Sequence, residues 1–228
     1  MSNSSIPRLV VLISGSGTNL QAILDATQSG ALKARVALVV SNRAGAYGLE
    51  RAKAVGVPTL VQSLKSFRAA THPDASREEY DASLAKDILT KLSIEEKEEK
   101  EASTTPSPFL LVLAGFMHIL SPAFLDHFPN QVINLHPALP GQFDGAKAIE
   151  RAYEAYKAGT IESTGVMVHY VIPEVDRGQP ILTRSIPILP EDSLEDLEAR
   201  MHNVEHQVII EGIAKALEDK QREADSKK

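Results

Sequence analysis

The chain opens on an apolar run, RLVVLI at 8–13, followed by a Gly/Ser loop and the periodic stretch LQAILDA. An unbroken run of aliphatic and β-branched residues bounded by turn residues predicts a buried strand, and apolar spacing of three and four predicts a helix. The alternation then repeats. A second buried strand is expected over 36–40, an amphipathic helix over 47–55 closed by Gly56, and a third strand over 57–61. Tyr80, Leu84, Ile88 and Leu92 recur at spacing four and predict a helix over 77–92; FLLVL at 109–113 resumes the sheet, and 132–135 is the next strand. Strand and helix alternating from the first residues predict an α/β fold: a mostly parallel, doubly wound, Rossmann-like sheet covered by helices on both faces.

Past residue 140 the texture changes. GAKAIERAYEAYKAG at 145–159 reads as a helix stopped by Gly159, after which 164–171 and 181–188 form two β-rich segments separated by a turn-rich stretch. Two strands that close in sequence predict an antiparallel pair appended to the parallel sheet. A long C-terminal amphipathic helix is expected over 193–219, with Asp192 or Ser193 as N-cap and Glu195 or Asp196 in capping-box range, and with 220–228 as a frayed tail. Between Leu92 and Pro108 lies a polar insertion, 93–108, whose charge run IEEKEEKEAS is a solvated helix end or a mobile loop, broken by TTPSP. No internal repeat is seen.

Composition narrows this picture. With 228 residues and 43% hydrophobic content, the chain can bury a full core as one domain or as two closely packed halves. Cysteine is absent, which excludes a disulfide framework, thiolate metal sites and a cysteine nucleophile, and agrees with a reducing compartment. The N-terminal MSNSSIPR lacks the apolar core of a signal peptide, and no apolar stretch approaches bilayer-spanning length. A soluble, cytoplasmic protein with no membrane partner is expected. A net charge of −6 disfavours a phosphate-tracking surface and so a nucleic-acid partner, while leaving room for a local patch that binds a small anion. Oligomeric state is not legible.

The candidate chemistry centres on VINLHPALPG at 132–141. In a strand, Asn134 and His136 point to the same side. A carboxamide donor beside an imidazole is what acyl transfer needs: one group to hold a developing oxyanion, one to move a proton near neutral pH. Pro137 and Pro140 end the strand there, placing the pair at a C-terminal strand end, where open α/β sheets bind ligands. Asp176, in the turn PEVDRG, is the expected carboxylate partner: beside a His it favours the imidazolium, and the two titrate as a coupled unit. His169, on the strand before that turn, reads alternatively as a buried structural histidine.

The loop SGSGTN at 14–19, between a strand and a helix, presents backbone N–H groups at a helix N-terminus and suits a phosphate. It is not a dinucleotide fingerprint: Leu20 stands where the third Gly would fall, no GK[ST] follows, and the second strand ends without a ribose-binding acid. A single phosphate fits better than a pyrophosphate. No H-E-x-x-H or acidic cluster stands at metal-ligand spacing, so no metal is expected, and the loop is out of register for a G-x-S-x-G elbow.

Taken in order, VVLISGSGTNLQAI, SNRAGAYGLERA, DASREEYD, LAGFMHILSPAFL, VINLHPALPG, TGVMVHYV, EVDRG and NVEHQVI resemble the phosphoribosylglycinamide formyltransferase family, the glycinamide ribonucleotide transformylases, most closely its fungal members. The resemblance covers nearly the whole chain. It implies transfer of formyl from 10-formyltetrahydrofolate, a co-substrate, to the glycinamide amine in purine synthesis, with Asn134, His136 and Asp176 as catalytic residues and no metal. It implies a phosphate on Gly17, Thr18 and Asn19, and approach of His202, Asn203, Val204 and Glu205 to the ribose and glycinamide, with Glu205 accepting from ribose hydroxyls. Folate contacts are implied for Arg77, for Met117, His118, Ile119 and Leu120, for Asn134, and for Ile172, Pro173, Glu174, Val175 and Asp176. The implied organisation is one formyltransferase domain, with a phosphate-binding half at 7–108 and a catalytic and folate-binding half at 109–219.

The chain departs from that family's pattern in three places. His118 stands where many relatives have Arg, which leaves backbone contacts as the implied ones at that position. HPALPGQFDGAKAIER replaces the HPSLLP of bacterial and animal relatives and the longer basic and aromatic segment after it, so no contacts carry over to 142–147. The insertion at 93–108 has no counterpart. Other folate-dependent formyl enzymes are disfavoured, because no basic C-terminal domain is expected after this one and no regulatory domain before it. A dinucleotide oxidoreductase is disfavoured by the missing third glycine, and a catalytically silent nucleotide-binding module by the intact Asn134, His136, Asp176 set.

Overall fold

The computed structural model describes residues 6–99 and 108–226, the side chains of 94–99 excepted. These residues divide into two compact units, up to Val132 and from Ile133. The first unit carries β1 (Arg8–Ile13), α1 (Thr18–Gln28), β2 (Arg35–Ser41), α2 (Gly48–Ala54), β3 (Thr59–Val61), α3 (Leu64–Ala70), α4 (Arg77–Glu99), β4 (Phe109–Leu113) and α5 (Pro122–Leu125). Its strands run in the order β3-β2-β1-β4, every pairing parallel. All six residues of β1 are buried, as are most of β2 and β4. Strands covered on both faces read as continuous apolar runs rather than as alternation, which is why RLVVLI, RVALVVS and FLLVL were visible in the sequence.

The second unit takes up β5 (Val132–His136), which begins at the boundary, then α6 (Ala148–Lys157), β6 (Ser163–Tyr170), β7 (Pro180–Pro187) and α7 (Leu194–Ser226). The order β5-β6-β7 is antiparallel throughout. The expected class therefore holds: α/β, parallel strands first, an antiparallel C-terminal pair, and a long final helix. On β7 exposed Thr183 and Ser185 alternate with the more buried Leu182, Arg184 and Ile186, the pattern of a sheet with one solvated face. α7 lays Leu197, Met201, Val208, Ile209, Ile213 and Ala216 against the unit, all fully buried, each larger side chain contributing about 1.5–3 kcal/mol of burial. Gly212 allows the close approach: a Cβ there would sit 2.8 Å from three carbons of Val168.

Capping settles one alternative left open by the sequence. Ser193 Oγ accepts from the Asp196 N–H at 3.1 Å while Asp196 Oδ2 accepts from the Ser193 N–H at 3.0 Å, a reciprocal capping box. At its other end α7 does not stop near Asp219 with a frayed tail; it continues to Ser226. Arg222 bonds Asp219 at 2.7 Å and Gln221 bonds Asp225 at 3.0 Å, i,i+3 and i,i+4 pairs that support the added turns. The insertion resolves in part as a helix end: α4 runs on to Glu99, while 100–107 lie outside the described residues. Two helices were not expected. α3 buries none of its residues and is held by the Ser63–Ser66 capping box, and α5 is one turn started by Pro122, so neither carries an apolar period to detect.

Candidate active site

Three segments of the second unit converge on one carboxylate. Asn134 and His136 are alternate residues of β5 and share a side; in the antiparallel ladder Asn134 lies opposite His169 of β6, and His136 opposite Met167. Asp176 sits in the β6–β7 turn at φ 56°, a left-handed conformation that Asp tolerates better than most residues. Gly178 makes the turn possible, since a Cβ there would collide with the Tyr170 carbonyl. The carboxylate so placed has Oδ2 at 3.3 Å from His136 Nδ1 and Oδ1 at 3.5 Å from His169 Nε2. It accepts from Asn134 Nδ2 at 3.3 Å and from the Gly145 N–H at 2.8 Å.

His169 is the member the sequence left undecided. Its Nδ1 lies 2.8 Å from the Tyr170 carbonyl oxygen. A carbonyl can only accept, so Nδ1 carries a proton, and Nε2 faces Asn134 Nδ2, which donates to it at 3.2 Å. The amide is thereby held between an imidazole and a carboxylate. Only register information reveals this: nothing in the spacing of 134 and 169 says that they face each other.

The electrostatics assign a charge to each group. Burial pushes the His136 imidazole below its ordinary value, and although Asp176 and Asp144 and a hydrogen bond to the Phe143 backbone pull the other way, burial prevails. For Asp176 burial acts upward, but the close approach of the His169 ring, the Gly145 N–H and the nearby His136 outweigh it and hold the carboxyl below the usual range. The resting pair is a carboxylate beside a neutral ring. Asp176 favours the imidazolium as expected, yet desolvation is the larger effect. His136 Nε2 is buried and has no hydrogen-bond partner among the described residues. A buried nitrogen in that state costs free energy until something supplies a proton or a lone pair.

The remaining expected residues fall as follows. In the first unit, Gly17 stands at the N-cap of α1 at φ 70° and, as glycine, has no side chain with which to cap it. A Cβ on Gly17 would lie 2.7 Å from Gly48 Cα, so the 14–19 loop needs glycine for both φ and space. Thr18 is exposed and Asn19 buried, and Arg51 Nε donates to the Ser16 carbonyl at 2.9 Å. Buried Ser14 donates to Asn42 Oδ1 and accepts from the Met117 N–H, both at 2.7 Å, tying this loop to the 117–120 stretch. There Arg77 donates to the Ile119 carbonyl at 3.1 Å, and Met117 and Ile119 are 70% and 53% exposed. Leu120 is buried. The His118 ring turns inward, with Nε2 2.6 Å from the buried Asp81 carboxylate and the ring edge-on to Tyr80 at 5.2 Å.

In the second unit, Ile172, Pro173 and Glu174 are exposed and Val175 half-buried. On α7, His202 and Asn203 are exposed, Val204 half-buried and Glu205 buried. Among the described residues no group of three or more His, Cys, Asp or Glu could hold a metal ion, and no helix is long and apolar enough to cross a membrane. Asp144 and Gly145, which touch the Asp176 turn, and Arg177 within it were not among the expected residues: the first two lie in the replaced segment, and Arg177, though inside EVDRG, meets Asp144 only through the fold.

A strand-end carboxamide and imidazole beside a carboxylate, in a chain without cysteine, are the groups that acyl transfer needs. Residues 7–213 match the family described as formyl transferase. A phosphoribosylglycinamide formyltransferase of Schizosaccharomyces pombe is 47% identical over 219 residues, 94% of this chain and 99% of that protein. Its counterpart in Saccharomyces cerevisiae is 41% identical, covering 92% and 97%. The crystal structure of glycinamide ribonucleotide transformylase 1 from Geobacillus kaustophilus superposes with a TM-score of 0.77 at 35% identity, over 92% of this chain and 98% of that one. The chain belongs to the formyl transferase family, among its phosphoribosylglycinamide formyltransferases.

Proposed function

We propose that this chain transfers the formyl group of 10-formyltetrahydrofolate to the amine of N1-(5-phosphoribosyl)glycinamide, a step of de novo purine (IMP) biosynthesis, in the cytoplasm. The observation that carries the reading is the meeting of Asn134, His136 and Asp176 at the end of β5, with His136 Nε2 buried and unpartnered. In this reading residues 7–108 supply the phosphate-binding half and 109–219 the catalytic and folate-binding half. The glycine-bearing loop at the N-terminus of α1, whose N-cap is Gly17, suits a phosphate on Gly17, Thr18 and Asn19. Glu205, with 202–204 before it, serves the ribose and glycinamide. The exposed apolar side chains of Met117 and Ile119, with Arg77 on the Ile119 carbonyl, suit a flat, largely apolar ring system; in the second unit the proposed folate contacts are 172–176 and Asn134. His118 is engaged by Asp81, so its contribution there is through the backbone.

The substrate amine attacks the formyl carbon, and the carbonyl electrons move onto oxygen. Asn134 donates to that oxygen, exchanging one of its present bonds for a stronger one to a developing charge. His136, neutral at rest, accepts the proton that the attacking nitrogen must lose and delivers it to the folate nitrogen as the carbon–nitrogen bond to formyl breaks. Asp176 orients the ring and stabilises the imidazolium while it lasts, the part a carboxylate plays behind any catalytic imidazole. No covalent enzyme intermediate is required.

A spectroscopic assay tests the reading. Folate absorbance should change only when glycinamide ribonucleotide is present. A change without the ribonucleotide, or consumption of a nicotinamide cofactor, would place the chain in another class.

A further inference from the structure

The segment 141–147, which departs from the family's common pattern, is fastened to the Asp176 turn at two adjacent residues. Gly145 donates its N–H to Asp176 Oδ2 at 2.8 Å, and the neighbouring Asp144 accepts at Oδ2 from Arg177 Nε at 2.6 Å. Asp176–Arg177 on one side and Gly145–Asp144 on the other thus form a closed two-rung tie. The segment adopts costly backbone to get there: Phe143 and Lys147 are left-handed at φ 51° and 59°, and Asp176 across the tie at 56°. Left-handed bulky residues persist only where the surroundings over-determine them, and they gather at working sites. Further contacts hold the loop from behind. Arg151 donates to the Asp144 carbonyl at 2.8 Å and lies over the Phe143 ring, 5.7 Å from its centre.

What the tie holds is the catalytic carboxylate. Oδ2 of Asp176 is shared between the Gly145 N–H and His136, so the loop sets which way that oxygen faces. The loop also reaches the imidazole itself, through the Phe143 backbone and the charge of Asp144. We propose that Asp144 and Arg177 are positioning residues: their ion pair locks the 141–147 segment onto the Asp176 turn and so fixes the Asp176 carboxylate against His136. An exposed ion pair adds little stability of its own. Its effect here is geometric, because releasing it frees the neighbouring N–H from Asp176.

The inference rests on the catalytic reading of Asn134, His136 and Asp176, and its test separates the two. The His136 ring is followed by NMR against pH in the free protein, alongside steady-state kinetics, for Asp144→Asn and Arg177→Gln, with Arg177→Lys as the conservative variant. The groups facing that ring are Asp176, His169, Asp144 and the Phe143 backbone. Asp144→Asn keeps shape and the bond to Arg151 but loses the charge, so the His136 midpoint should fall. In both Asp144→Asn and Arg177→Gln, kcat should drop by about tenfold, with each KM within about twofold, as for an interaction that acts on the chemical step. Arg177→Lys should recover part of that loss. An unmoved midpoint with unchanged kcat would overturn the proposal, as would a loss confined to KM or to thermal stability. A shifted midpoint in an enzyme that transfers no formyl group would leave the tie standing and remove the reaction assigned to it.

Discussion

Asn134 and His169 face each other across the β5–β6 ladder, and the Asn134 amide donates to His169 Nε2 at 3.2 Å. With His169 Nδ1 committed to the Tyr170 carbonyl, Nε2 is the ring nitrogen left to meet the amide N–H. The second N–H of the amide goes to Asp176 Oδ1 at 3.3 Å, so both amide hydrogens are engaged and the amide plane is held. In the proposed reaction one of these two bonds is exchanged for a bond to the formyl oxygen while the other keeps the amide in place.

Asn134→Ala should lower kcat by about a hundredfold or more, the usual cost of one lost oxyanion donor. Steady-state kinetics on a variant of normal thermal stability is the check. Near-normal turnover would remove the oxyanion role.

His136 and Asp176 should behave as one unit. His136→Ala and Asp176→Ala should each depress transfer strongly, and the double variant should lose far less than the product of the two losses. Asp176 pulls the ring toward its charged form, so Asp176→Asn should move the acidic limb of the kcat/KM profile to lower pH. Multiplicative losses with a stationary limb would mean two independent residues.

Acid should weaken the fold through the same groups. His136 is held below its unfolded value of about 6.5, so between the folded value and about 6.5 the unfolded chain binds a proton that the native one refuses, and stability falls as pH falls through that window. Asp176, also depressed, adds stability above about 3.9 that is lost as pH drops through its folded value. Melting temperature should decline from pH 7 to pH 5, and His136→Gln should flatten the upper part of that decline. A variant whose curve parallels the parent would show that His136 titrates alike in both states.

Gly17→Val should weaken glycinamide ribonucleotide binding by at least about tenfold while folate binding changes little, because a β-branched side chain resists φ 70° and meets Gly48 backbone. Calorimetric titration with each ligand reads this out. Equal losses for both ligands would point to a general folding defect, and no loss would move the phosphate elsewhere.

The elements that could be read from the chain were those whose burial imposes a period. β1, β2 and β4 announce themselves as apolar runs, and α4 shows its buried face as Tyr80, Leu84, Ile88 and Leu92, all at or near full burial. α3 buries none of its residues, and α5, although it buries Phe124 and Leu125, is a single turn too short to show a period. In the site, Asn134 and His136 were legible because strand geometry alone puts alternate residues on one side. His169 was not, since its place depends on the β5–β6 register, and the Asp144–Arg177 contact was not, since it depends on left-handed backbone at Phe143, Lys147 and Asp176 that no local pattern announces. Burial also reversed one expectation: a carboxylate neighbour suggested a charged His136, but desolvation leaves it neutral at rest.

The most direct test of the account follows the formyl carbon itself. With 10-formyltetrahydrofolate labelled at that carbon and glycinamide ribonucleotide in a single turnover, mass spectrometry should find the label on the glycinamide nitrogen in one-to-one yield with the folate released, and Asn134→Ala should slow its appearance by about a hundredfold. Label recovered as free formate, or retained on folate when both substrates are bound, would contradict direct transfer at Asn134, His136 and Asp176.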